Sequence, residues 1–97
     1  MRQPRELQEA VRLGEAAQGL LDNDALQTAF QRVEQRVIAQ WRSADTVQER
    51  ERAFALVRAL DELQHELQTM VADGRYAAEV VRRNVASDAI TGRPERR

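Results

Sequence analysis

Ninety-seven residues make at most one domain, and a chain of this size buries little apolar surface on its own. It is 42% hydrophobic but only 4% aromatic, with two prolines and four glycines, and it is rich in Ala, Arg, Gln, Glu and Leu, all strong helix formers. The lack of cysteine excludes disulfides and thiolate metal sites, and no apolar run reaches the length of about 18 residues that a membrane span needs.

The net charge of −1 is unevenly placed. Residues 1–74 carry 9 arginines against 13 acids, whereas residues 75–97 carry 6 arginines against 3 acids. An acidic body with a basic tail points the tail at something anionic, or simply keeps it solvated. All 15 basic residues are Arg, which reflects codon composition better than any shared function. The start, Met1-Arg2-Gln3-Pro4-Arg5-Glu6, lacks the apolar core of a signal peptide, so synthesis in the cytoplasm is expected.

The first predicted helix begins near Pro4, where a proline's missing N–H does no harm. Leu7, Val11, Leu13, Ala17, Leu20 and Leu21 form a loose apolar stripe, interrupted by Gly14 and Gly19. Each interior glycine costs about 1 kcal/mol relative to Ala, so this segment is expected to be short or mobile unless a partner packs against it. Asp22-Asn23-Asp24 is a break whose side chains suit the free amides of a helix start.

A second helix is predicted over about 24–42. Leu26, Phe30, Val33, Val37 and Trp41, at spacings of 4, 3, 4 and 4, lie on one face. Ser43-Ala44-Asp45-Thr46 forms a short link, and Thr46 with Glu49 fits a capping box, with Asp45 as the alternative cap. A third helix should then run from 46 to about 73 and close at Gly74, a residue suited to the left-handed conformation of a helix end.

This helix carries a heptad, with Ala53, Leu60 and Leu67 in one series and Leu56, Leu63 and Met70 in the other. Phe54, Val57 and Val71 widen the stripe. A four-residue link makes an antiparallel hairpin the simplest arrangement for the two helices. After Gly74, Tyr76, Val80, Val81 and Val85 allow one more short helix, and Thr91-Gly92-Arg93-Pro94-Glu95-Arg96-Arg97 reads as an extended tail.

The expectation is therefore an all-α chain: a hairpin core over 22–74, a short helix over 1–21, and a weakly helical, basic segment over 75–97. A two-helix hairpin leaves one side of each stripe wet, which calls for a cover. The N-terminal helix, a second copy or another protein would each serve, and self-association is favoured. Leu26, Phe30, Val33, Val37, Trp41, Leu56, Leu60, Leu63, Leu67 and Met70 are the candidate interface. Trp41 either caps the core at the turn or forms an exposed platform with Arg42. Arg75, Arg82, Arg83, Arg93, Arg96 and Arg97 are candidate contacts for an anionic partner, and nucleic acid would be met only through this tail.

One pattern invites chemistry. Glu62-Leu63-Gln64-His65 has the Glu-x-x-His spacing of di-iron helical bundles, where both side chains point into the core. The heptad assigns Glu62 and His65 to outer positions instead, beside no inward-facing Glu on the second helix, so a ferritin-like metal hairpin is the weaker alternative. His65 is the only histidine, Ser43 and Ser87 lie in no nucleophile motif, and Gly14 and Gly19 match no phosphate loop. No enzyme, cofactor or metal is expected.

The stretch from Ala10 to Ala78 resembles a family of short helical proteins encoded in phage and prophage late-gene regions. The resemblance rests on Glu15-Ala16-Ala17-Gln18-Gly19-Leu20-Leu21-Asp22-Asn23-Asp24-Ala25-Leu26, on Ala29-Phe30 and on Trp41-Arg42. It continues through Asp45, Glu49-Arg50-Glu51 and Val71-Ala72-Asp73-Gly74-Arg75. Such proteins sit near portal and capsid genes. The resemblance implies a virion-associated or assembly protein that docks on capsid, portal or tail components; the alternative is a small phage regulator that binds a host protein.

Overall fold

The structure, a computed structural model, describes residues 3–91, with side chains as far as Ser87. The chain is all-α, and no strand occurs among the described residues. Helix α1 spans Pro4–Leu21, α2 spans Asp24–Arg42 and α3 spans Val47–Thr91.

The helix starts follow local chemistry. Pro4 opens α1, and the Glu6 carboxylate accepts from the Gln3 amide at 3.0 Å. Asn23 caps α2, its side-chain oxygen accepting from the Leu26 amide at 2.8 Å. At α3 the Thr46 hydroxyl accepts from the Glu49 amide at 3.1 Å. The Glu49 carboxylate reaches back to the Asp45 amide at 2.9 Å, so the capping box spans both residues named as caps.

Helix α3 has 45 residues, about 67 Å at 1.5 Å per residue, and both shorter helices pack on it. Leu7 and Ala10 of α1 lie with Ala77, Val80 and Val81; Ala17 and Leu21 lie with Leu67, Met70 and Val71. As α1 advances its partners on α3 recede, so the two run antiparallel. α2 lies along the earlier part of α3, joined to it by the link at 43–46. The molecule measures 77 × 27 × 15 Å, and its radius of gyration of 21.1 Å far exceeds the roughly 13 Å of a compact domain this long.

Two expectations are corrected here. Gly74 does not end the third helix, which continues without a break to Thr91; residues 75–91 are not a weakly helical tail. Nor is α1 short: it forms 18 residues and buries Leu7, Ala10, Gly14 and Ala17, with α3 as the partner that packs against it. One contact explains both. A Cβ built on Gly14 would lie 2.9 Å from the Gly74 Cα and 2.9 Å from the Met70 carbonyl oxygen; one on Gly74 would lie 2.8 Å from the Ala10 carbonyl oxygen. The helices meet backbone to backbone, and each glycine is there because a side chain would not fit. Packing along α1 then carries α3 past the glycine, where Ala77 is 0% exposed. The tail expected from Thr91 onward lies outside the described residues beyond Thr91 itself, which is helical.

Candidate interaction surface

The α1–α3 half is closed by small side chains. Ala10, Gly14 and Ala17 on α1 face Gly74 and Ala77 on α3, with Leu7, Leu67 and Val71 filling the space around them. At its edge Arg75 donates to the Gln18 side-chain oxygen at 3.3 Å.

The α2–α3 half closes differently. Phe30 and Val37 of α2 and Ala53 of α3 are buried, with Leu26, Val33, Ile38, Val57, Leu60 and Gln64 half-buried. On α3 the inward series is Ala53, Val57, Leu60, Gln64, Leu67, Val71 and Gly74, spaced 4, 3, 4, 3, 4 and 3. The seven-residue repeat is thus present, but turned one position from the expected pairing. Leu56 (45% exposed) and Leu63 (52%) lie on the flank instead of in the seam. The seam settles there because Ala53 and Gly74, the smallest residues of the repeat, occupy it and let the helices approach.

The ten candidate interface residues therefore separate. Phe30, Val37 and Leu67 are used inside the chain; Leu26, Val33, Leu60 and Met70 are partly covered. Leu56, Leu63 and Trp41 are open, and Trp41, 47% exposed at the end of α2, does not cap a core. Phe54, expected to widen the inward stripe, is exposed instead, with the Arg58 guanidinium 5.8 Å from its ring centre.

The basic set separates too. Arg82 and Arg83 both pair with the Glu79 carboxylate, and hydrogen bonding from Arg82, then from Arg83, holds Glu79 below its ordinary pKa. Arg75 is engaged by Gln18, and Arg93, Arg96 and Arg97 lie outside the described residues. Glu62 and His65 are exposed on α3, and the described residues contain no group of three or more acidic or histidine side chains placed to hold a metal. No helix among the described residues is long and apolar enough to cross a membrane.

Sequence reasoning missed the small-residue contact itself. Its signal was present as Ala10-x-x-x-Gly14-x-x-Ala17 on one helix and Gly74-x-x-Ala77 on the other, small residues at helical spacing. It was read as two interruptions because a single helix cannot show what lies opposite its glycine. No known protein family, curated protein or solved structure matches the chain.

Proposed function

We propose that this chain is a non-enzymatic association protein, a helical hairpin that docks through one face of its α2–α3 half, and that it serves in phage particle assembly or in the particle itself. The observation that carries the reading is the exposure of Leu56 and Leu63 on one flank of α3, beside half-covered Leu60 and Met70. Large apolar side chains repeated at helical spacing along a solvated flank mark a place where another surface belongs. The phage setting comes from the resemblance of residues 10–78. The virion or its assembly line is accordingly the proposed location, with capsid, portal or tail components as proposed partners. Acidic and basic side chains distributed over open helix surfaces favour binding over acid–base catalysis, which needs groups convergent in a pocket.

The test is the number of copies in purified particles of the encoding phage or induced prophage. Several copies per particle are expected, with incorporation lost on Leu56→Arg/Leu63→Arg. Absence from particles, with the chain retained on a host protein, would replace this reading by that of a regulator.

A further inference from the structure

The open flank of α3 has a pattern that identifies its occupant. Arg52, Leu56, Ala59, Leu63 and Glu66, spaced 4, 3, 4 and 3, form one stripe, and all five are exposed. The stripe lies about a quarter turn from the inward series, so it faces nearly at right angles to the plane of α2 and α3. On α2, the flank of that same side carries Leu26, Ala29 and Val33, bordered by the exposed Arg32 and Arg36. Together they make an apolar face crossing both helices.

Read from its two ends, the stripe is self-complementary. It has Ala59 at the centre, a leucine to either side, and opposite charges at its ends. Laid antiparallel on a second copy about a two-fold axis at Ala59, it sets Leu56 against the partner's Leu63 and Arg52 against the partner's Glu66. By symmetry each pairing forms twice. The small side chain at the dyad lets the helices approach. Among the described residues neither Arg52 nor Glu66 is ion-paired within the chain, so both charges are available. A parallel arrangement would oppose Arg52 to Arg52 and Glu66 to Glu66. From Arg52 to Glu66 the face is about 21 Å long, and it is two helix diameters, or about 20 Å, wide. That offers roughly 420 Å² per copy and about 840 Å² in all, the size of a weak, concentration-dependent dimer whose register is set by the charge pairing.

From this geometry we infer that the occupant is a second copy of the chain: two α2–α3 pairs stack face to face into an antiparallel four-helix bundle with its dyad at Ala59. This rests on the proposed docking face and gives it to self-association, so that the particle components are met by the dimer and not by this face of a single chain.

The chain has no cysteine, so one introduced thiol reports one position. Full-length Ala59→Cys is expected to form a disulfide-linked dimer on mild oxidation, whereas Asp61→Cys, about 200° around the helix, stays monomeric in the same assay. By sedimentation, Glu66→Arg alone and Arg52→Glu alone should each raise the dimer dissociation constant about tenfold, and the double charge reversal should restore it. Helicity by circular dichroism, unchanged in each variant, confirms that folding is intact. A wild-type chain that stays monomeric, equal cross-linking of Asp61→Cys and Ala59→Cys, or a double reversal without rescue would overturn the dimer. If incorporation into particles still fails in Leu56→Arg/Leu63→Arg while no dimer forms, the docking face stands and only its occupant was wrong. If that double variant also incorporates normally, both fall.

Discussion

The two halves of the molecule use the same long helix in opposite ways. Against α1, α3 presents Gly74 and Ala77, and the backbones meet closely enough that a Cβ on either glycine would strike the other chain segment. Against α2 it presents Val57, Leu60 and Gln64, larger side chains that stay half-covered, and leaves Leu56 and Leu63 open beside them. Small residues allow a pair of helices to complete its own seam. Larger residues on the α2 side leave their seam less completely covered. The first half provides anchorage, and the second provides a face for something else.

The contrast breaks most sharply at the glycines. Gly14→Val should cost about 3 kcal/mol in urea unfolding, because the overpacked atoms are backbone and cannot rotate aside. Gly19→Ala is the counterpart in the same helix. Nothing lies within 4 Å of its added Cβ, so a gain of about 0.5–1 kcal/mol is expected from helix propensity alone. If both substitutions stabilise, the helices are not in backbone contact.

Leu67 and Leu63, one helical turn apart, sharpen it next. Leu67, 8% exposed, sits with Ala17 and Val71, and Leu67→Ala should cost about 2–3 kcal/mol. Leu63→Ala, on the flank, should cost about 0.5 kcal/mol or less in the isolated chain. Equal losses would return Leu63 to the seam. Asn23→Ala and Thr46→Ala should each lose about 1 kcal/mol, since each removes an acceptor from a helix-start amide.

The smallest effect belongs to the far end of α3. Glu79 is held below its ordinary pKa by Arg82 and Arg83, so the ionised form favours the folded helix. That contribution is present above the unfolded carboxylate pKa and is lost as pH falls through the depressed folded value. The pair is exposed and screened, so only a slight loss of helicity on acidification is expected, and it should be abolished in Glu79→Gln and weakened by salt.

Local chemistry was legible wherever its cause was local. Asn23, Thr46 and Glu49 announce helix starts because caps act over three residues, and the spacing of Leu26, Phe30, Val33 and Val37 announces an amphipathic face. The heptad of α3 was legible as a period but not as a phase. Apolar residues at 56 and 57, at 63, and at 70 and 71 make the stripe wide enough to be turned either way. Of the ten proposed interface residues, the buried Phe30, Val37 and Leu67 could not be told from the open Leu56, Leu63 and Trp41, since both groups are large, apolar and at helical spacing.

From its residues alone the chain is bound to be helical: helix formers at apolar spacings of three and four, with caps at the breaks, permit little else. Whether Gly74 ends a helix or seats one is decided only by what stands opposite. A glycine tolerates the left-handed turn of a helix end and the close approach of a second backbone for one reason, the missing Cβ, and the presence of Gly14 across the seam selects the second. That selection carries α3 on to Thr91, aligns α1 along it, and leaves the α2 half with its flank of leucines uncovered.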